Sequence, residues 1–157
     1  MTERLFKVLD RDGTPFHGGI GAWSLPARGE PGAWMPPIAD LEPCERGYHL
    51  CREGDLVCWL GPMIGEAEAR GERVDYAEKR HTCVVVAEAR LLRRYERWTE
   101  TTARLFACDC AERVLYLCAD DALSRKSITT ARNYANGIAT QDELSSVWVA
   151  AASAGFA

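Results

Sequence analysis

Four residues able to bind a metal ion lie within fifteen positions of one another. They are Cys44, His49, Cys51 and Cys58. Thiolate and imidazole groups are the usual zinc ligands, and zinc takes four of them tetrahedrally. The spacing differs from that of common zinc fingers, because two tight CxxC pairs are missing. We therefore favour a core strand with a hydrogen-bonded histidine over a metal site.

Nucleophilic and redox sites have only weak signals. Cys108 and Cys110 are two positions apart, so on a helix they point about 200° apart and form no unstrained disulfide. A cysteine nucleophile needs a histidine base beside it, and His17, His49 and His81 cannot be paired with a particular thiol from sequence. No phosphate-binding loop, serine-hydrolase elbow or zinc-protease motif occurs.

One enzymatic hypothesis remains open. Glu66 and Glu68 would share a strand face, where solvent-exposed carboxylates are the simplest interpretation. Together with His17 beside a glycine and Tyr48 on a central strand, Glu66 or Glu68 would form the nucleotide site of a diverged ADP-ribosyltransferase that modifies a host protein. This alternative rests on residue types alone.

The first part of the chain is predicted to supply a small antiparallel sheet. β-branched and aromatic runs bounded by glycine, proline or aspartate indicate strands. They lie at 4–9, 47–51, 63–69 and 81–89, with a short helical segment at 56–60. Residues 15–40 are rich in glycine and proline and predict a long ordered loop. Trp23, Trp34 and Met35 on this loop are predicted to contact a partner, because aromatic side chains anchor interfaces; the alternative is that they pack against their own domain.

The last part is predicted to be helical. Apolar residues recur at steps of three and four and predict one helix over 99–118 with a buried stripe. The stripe consists of Ala103, Phe106, Ala107, Cys110, Ala111, Val114, Leu117 and Cys118. A second helix is predicted at 124–136 and ends at Gly137. A third follows at 141–153, opened by a capping box of Thr140 and Glu143 and packing through Leu144, Val147, Trp148 and Ala151.

Composition indicates an ordinary globular chain. The 157 residues are 47% hydrophobic and 27% charged, with a net charge of −4. That charge has the wrong sign for a general nucleic-acid binder. Seven cysteines, several among apolar helix residues, and the absence of an apolar run in MTERL predict a cytoplasmic protein with free thiols and no membrane span. Strands followed by helices predict an α+β fold, with a strand-and-loop region at 1–97 and a helical region at 98–157 in one compact unit.

Residues 44–98 resemble an uncharacterised domain found mostly in phage and prophage proteins. The residues that carry the resemblance are CERGYHLC at 44–51, Trp59-Leu60-Gly61, Glu66-Ala67-Glu68 with Gly71, Lys79, and the strand Val84 to Leu91. That domain has no established catalytic residues, so the resemblance implies a fold and a phage setting.

Residues 104–137 resemble a helical module of bacterial proteins described as immunity proteins. The matching residues are Phe106-Ala107, Asp109 to Leu115, Ala131-Arg132, Tyr134-Ala135 and Gly137. From these patterns we expect a small phage or mobile-element protein that binds a bacterial host protein or protein complex, for example an inhibitor of host defence of the anti-CRISPR type. We expect no direct nucleic-acid contact and no cofactor.

Overall fold

The computed structural model describes residues 3–78, 81–117 and 121–154. The chain forms two compact units, Met1–Trp98 and Thr99–Ala157. The first contains all the strands and the second all the α-helices of the described residues, so the α+β prediction is confirmed. That the two regions form one compact unit stays a prediction. No helix in the described ranges is long and apolar enough to cross a membrane.

Four antiparallel strands form the first unit. They are β1 (Leu5–Leu9), β2 (Tyr48–Arg52), β3 (Met63–Glu78) and β4 (His81–Arg94), with a 3-10 helix at Glu53–Cys58 between β2 and β3. The sheet closes on itself in the order β1–β2–β4–β3. Closure leaves β1 between β2 and β3, so this five-residue strand is hydrogen-bonded on both edges.

Strand β1 is buried on both faces. Side chains alternate across a strand, and Leu5 and Leu9 enter the larger apolar core while Phe6 and Val8 enter a second one. The 3-10 helix and the residues that follow it cover the second core through Leu56, Trp59 and Leu60. The alternation also places Lys7 on the same face as Leu5 and Leu9.

Two of the predicted strands are longer than the sequence suggested. The predictions at 4–9 and 47–51 match β1 and β2 to within one residue at each end. Strands β3 and β4 extend beyond 63–69 and 81–89, because polar residues of β3 such as Arg73 continue the ladder opposite Val86 of β4. A register shift between Arg70 and Arg73 accompanies this extension. The helical segment predicted at 56–60 is instead the 3-10 helix.

The second unit contains three helices close to the predicted ranges. They are α1 (Glu100–Val114), α2 (Asp121–Ala135) and α3 (Gln141–Ala154), and a 3-10 turn at Leu115–Leu117 follows α1. The capping box before α3 is confirmed: the Glu143 carboxylate accepts hydrogen bonds from the backbone N–H and hydroxyl of Thr140. Gly137 ends α2 with φ of 73°.

The predicted apolar stripe of α1 is wrong. Phe106 is 39% exposed and Val114 is 49% exposed, whereas Cys108 and Leu115 are buried. The helix turns this other face to α2: the Cys108 thiol lies 3.7 Å from the Ile128 carbonyl, and Arg132 of α2 bonds both Asp109 and Glu112 of α1, at 2.9 and 2.8 Å. In α3, Trp148 was predicted to pack inward and is 72% exposed. Cys118 of the stripe and Lys79 of the phage-like motif lie outside the described residues.

Candidate functional site

The four residues considered as zinc ligands do not form a metal site. Within the described ranges, no group of three or more His, Cys, Asp or Glu is placed to hold a metal ion. His49 Nε2 accepts the backbone N–H of Cys44 at 2.8 Å, so the other ring nitrogen carries the proton and donates to the Gly47 carbonyl at 3.0 Å. Burial, and then the charge of Lys7, lower the pKa of His49. The histidine therefore fixes the turn before β2.

The predicted long loop is confirmed, and its second half is attached to the sheet. Residues 15–40 contain no named strand or helix. Three backbone N–H groups of the loop donate to three carbonyls of β4: Gly32 to Leu91 at 2.8 Å, Met35 to Ala89 at 2.8 Å and Ile38 to Ala87 at 3.0 Å. The loop thus lies along the edge of β4 beyond the part that pairs with β2.

The aromatic residues predicted to contact a partner are engaged within their own unit. Trp23 is 6% exposed and lies in the larger core, edge-on to Tyr48, so its ring has little surface left for a partner. The guanidinium groups of Arg70 and Arg90 lie over the Trp34 ring, at 4.1 and 4.7 Å from its centre. Met35 is partly buried against the same core as Trp23. Trp23 therefore packs against its own domain, as the alternative interpretation expected.

Large apolar side chains are exposed earlier on the same loop, at Phe16 and Ile20, and on the 3-10 helix, at Val57. We call these three residues the loop-tip patch. Ile20 is 99% exposed, Val57 is 58% exposed, and Phe16 is also exposed. Glycines flank Ile20 on both sides, and Gly19 and Gly21 have φ of 106° and 88°, a conformation that favours glycine. The loop thereby presents a large apolar side chain to solvent.

The base of the loop-tip patch is ordered by aromatic contacts. His17 Nε2 bonds the Trp59 carbonyl at 2.6 Å, and the His17 ring lies edge-on to Phe16 and to Trp59, with centroids 4.9 and 5.5 Å apart. Phe16 covers Gly61 so closely that a Cβ there would meet its ring at 2.5 Å. Trp59 Nε1 in turn donates to the Thr82 carbonyl at 3.2 Å. These contacts hold Phe16 and His17 against Trp59 and Gly61.

The residues of the alternative ADP-ribosyltransferase site each contact different partners. The Tyr48 hydroxyl donates to the Pro36 carbonyl at 2.7 Å. Glu68 pairs with Arg90 at 2.7 Å, and Glu66 pairs with Arg93 at 2.7 Å. Burial raises the pKa of Glu66, but hydrogen bonds from Arg93 and other donors outweigh it and lower the pKa overall, which disfavours a role as a general acid. Within the described residues, no hydrogen bond, ion pair or ring contact joins any two of His17, Tyr48, Glu66 and Glu68.

A charged groove of about 690 Å³ lies beside β1 and β3. Its charged lining consists of Glu3, Arg4, Glu66, Glu68, Arg70, Arg73 and Arg90. These groups neutralise one another; Arg73, for example, bonds Glu3 at 2.6 Å and Asp75 at 2.7 Å. Hydrogen bonds from Arg73 and Arg52 lower the pKa of Glu3. The groove therefore offers paired ions rather than a free anion-binding site.

Sequence reasoning missed Lys7, which lies between hydrophobic residues of β1. Its ammonium group donates to the His49 carbonyl at 3.0 Å and lies 5.5 Å from the centre of the Trp23 ring. Burial lowers its pKa to about 8. The alternation in LFKVL was the available signal, because it places a lysine on the face that Leu5 and Leu9 bury.

No protein-family model matches this chain. The curated proteins contain no match to it either, and neither do the solved structures. The resemblances of residues 44–98 and 104–137 to known families therefore stay predictions.

Proposed function

We propose that this chain is a small phage or mobile-element protein that binds a bacterial host protein complex, for example as a defence inhibitor of the anti-CRISPR type. The observation that carries the binding role is Ile20, which is 99% exposed at the tip of an otherwise anchored loop. The phage setting is supported by the resemblance of residues 44–98. The contact surface we propose is the loop-tip patch, Phe16, Ile20 and Val57.

An exposed apolar side chain next to ordered aromatic contacts suits protein recognition. Burying an isoleucine side chain contributes about 1.5–3 kcal/mol, and interfaces depend on a few such anchors. The contacts of His17 with Phe16 and Trp59 order the base before binding, which lowers the entropy lost on association. A nucleic-acid partner is disfavoured, because the net charge is −4 and the groove arginines are paired with carboxylates.

Trp34 and Met35 keep a supporting role in this proposal. Trp34 is held by Arg70 and Arg90, and Met35 donates its backbone N–H to Ala89. Both fix the second half of the loop against β4. Their substitution would affect binding through the position of the loop, whereas substitution of Ile20 would remove a direct contact.

The test is a phage challenge of bacteria with an active CRISPR system that express the protein. Wild type should raise the plating efficiency of a targeted phage, and Ile20→Asp should abolish that effect while the protein still accumulates. Ile138→Asp is the matched control, because Ile138 is 73% exposed in the other unit. Equal activity of wild type and Ile20→Asp would contradict the contact surface, and no rise with wild type would contradict the anti-CRISPR role.

A cross-linking experiment then addresses the partner directly. A photoreactive phenylalanine analogue at position 20 should attach a host protein in cells, and the same analogue at position 138 should not attach it. Mass spectrometry of the adduct identifies the host component. Equal adducts from both positions would indicate non-specific collision and would argue against the loop-tip patch.

A further inference from the structure

Strand β3 has an outer edge that no other strand covers over most of its length. Strand β1 pairs with β3 only from Met63 to Ala67, and β4 pairs with the opposite edge as far as Glu78. Among the described residues, the outer edge beyond Ala67 therefore has no strand partner. The outer edge of β4 is instead occupied by β2 and by residues 32–38 of the loop. An uncovered edge presents backbone N–H and carbonyl groups to which another strand can bond.

The charges along this edge are ordered so that a second copy of the strand complements them. Arg73 and Asp75 lie on either side of Val74. When two copies pair antiparallel with Val74 opposite Val74, Arg73 of each copy lies opposite Asp75 of the other. Pairing centred on Arg73 or on Asp75 would instead place like charges opposite each other. Opposite charges across a ladder stabilise it and like charges destabilise it, so the pattern favours the register centred on Val74.

The side chains of this segment are accessible to such a contact. Arg73 and Asp75 are exposed, and Arg73 bonds Asp75 at 2.7 Å within the strand. Glu3 and Arg52 complete this group of ions, because Glu3 pairs with Arg73 at 2.6 Å and Arg52 pairs with Asp75 at 3.0 Å. Exposed ion pairs contribute little to stability. Exchange of the Arg73–Asp75 contact within one strand for the same contact between two copies therefore costs little.

A bulge limits the length of the segment that can pair. The register of β3 with β4 shifts between Arg70 and Arg73, and Gly71 within this interval has φ of 80°. Bulges bend a strand and interrupt its ladder. The regular part of the uncovered edge therefore begins beyond Gly71. A ladder of this length buries less surface than a standard protein interface, so we expect association to be reversible.

We propose that β3 pairs antiparallel with β3 of a second copy of this chain, across a two-fold axis at Val74, in a reversible dimer. The order of charges in Arg73, Val74 and Asp75 identifies a second copy as the partner, because this order is complementary to itself. The half-buried Val74 side chains meet on the face opposite the charges. This contact is closed, because each copy contributes the same edge once. It is separate from the loop-tip patch.

Charge reversal tests the register by sedimentation of the full chain over a wide range of concentrations. Wild type should change from monomer to dimer as the concentration rises. Arg73→Asp alone and Asp75→Arg alone place like charges opposite each other twice, and each should weaken the dimer about tenfold or more. An equimolar mixture of the two variants should restore it, because every Asp at these positions then lies opposite an Arg.

Controls separate this contact from general effects of charge and from misfolding. Arg46→Asp makes the same change of charge in the turn before β2 and should dimerise as wild type does. A wild type that stays monomeric would overturn the proposal, as would equal dimerisation of Arg73→Asp. The same holds for a mixture that stays monomeric while each variant keeps the wild-type circular dichroism spectrum. A dimer that Ile20→Asp abolishes and Arg73→Asp leaves intact would place the contact at the loop-tip patch instead.

Disulfide trapping locates the two-fold axis. Residues directly opposite in an antiparallel pair have Cα atoms about 4.5–5.5 Å apart, a distance that a disulfide spans. Val74→Cys should therefore give a covalent dimer under mild oxidation, above the level that the native thiols give in wild type. Ala77→Cys is the matched control, since its two copies would lie about 20 Å apart. Equal cross-linking of the two variants, or none with Val74→Cys, would overturn the proposed register.

Discussion

The closed sheet of Met1–Trp98 and the helices of Thr99–Ala157 bury their apolar side chains to very different extents. The largest fully buried side chains, Leu9, Leu50, Leu91 and Val84 to Val86, all lie in the strands. In the described part of the helical unit the buried hydrophobic residues are Cys108, Leu115 and Val147. A closed sheet covers both faces of a short strand, whereas three helices leave several apolar faces in solvent. Apolar periodicity therefore located the core correctly in strands and incorrectly in α1.

The largest expected effect comes from the core of the sheet. Leu91→Ala should lower the free energy of unfolding by about 2–5 kcal/mol, because Leu91 is fully buried and its loss leaves a cavity. Val114→Ala, on the face of α1 that the sequence predicted as core, should cost less than about 1 kcal/mol. Urea denaturation followed by tryptophan fluorescence and circular dichroism measures both. Equal losses would restore the predicted stripe as a packed surface.

Lys7 gives the next largest effect, and its sign depends on pH. The pKa is about 8 in the folded chain and near 10.4 for an ordinary lysine in the unfolded chain. Between these values the unfolded state binds more protons, so the contribution of Lys7 to stability rises with pH. Lys7→Met should therefore be more stable than wild type by about 3 kcal/mol at pH 7, and this advantage should disappear by about pH 10.5.

The measurement is the urea midpoint of both proteins at several pH values. Lys126→Met is the control, since Lys126 is exposed on α2, and its difference from wild type should not follow this pattern. An advantage of Lys7→Met that stays constant from pH 7 to 10.5 would show that the lysine titrates normally.

The rates of thiol modification should separate exposed from buried cysteines in both units, with a smaller effect than the substitutions above. Cys44, Cys58 and Cys110 are exposed, whereas Cys51, Cys83 and Cys108 are buried and their pKa values are raised by burial. A disulfide reagent at pH 7.5 should modify the exposed set at least about tenfold faster than the buried set. Peptide mapping assigns each site, and denatured protein gives the reference rates. Rapid modification of Cys51 would mean that the sheet opens readily.

The smallest expected effect concerns the contacts of α1 with α2. Arg132→Met removes the bonds to Asp109 and Glu112, both of which are exposed pairs. Exposed ion pairs contribute little and are screened by salt. We expect a slight loss of thermal stability at low salt that vanishes at 1 M sodium chloride. A large loss that persists in high salt would mean that Arg132 packs with α1 beyond its charge.

The sequence predicted elements better than it predicted contacts. Strands β1 and β2 and the capping box of α3 could be read locally, because turn residues and caps are short-range signals. The extension of β3 was hidden, since its polar residues are paired only once β4 lies beside them. The orientation of α1 could not be predicted locally, because its contacts with α2, such as that of Asp109 with Arg132, join residues 23 positions apart.

The candidate sites were predicted less well for the same reason. The residue type alone does not show whether a tryptophan lies in the core, as Trp23 does, or is exposed at an interface. Residue type favours the tryptophans of the loop over Ile20 as interface residues, although three glycines surround this isoleucine in the sequence. The burial of Lys7 can be predicted only from the alternation of side chains on both faces of β1, because lysine itself is usually an exposed residue type.

The attachment of residues 32–38 to β4 has a consequence for self-association. An open strand edge invites pairing with another chain. The N–H donors of the loop are three residues apart, whereas the β4 carbonyls that accept from them are two residues apart. The loop therefore occupies these acceptors but does not form a regular β-ladder with β4. Its outer side offers few donors in turn, because Pro31, Pro36 and Pro37 have no N–H. The loop therefore covers this part of the β4 edge, and shortening it should increase the tendency of the protein to form strand-paired oligomers.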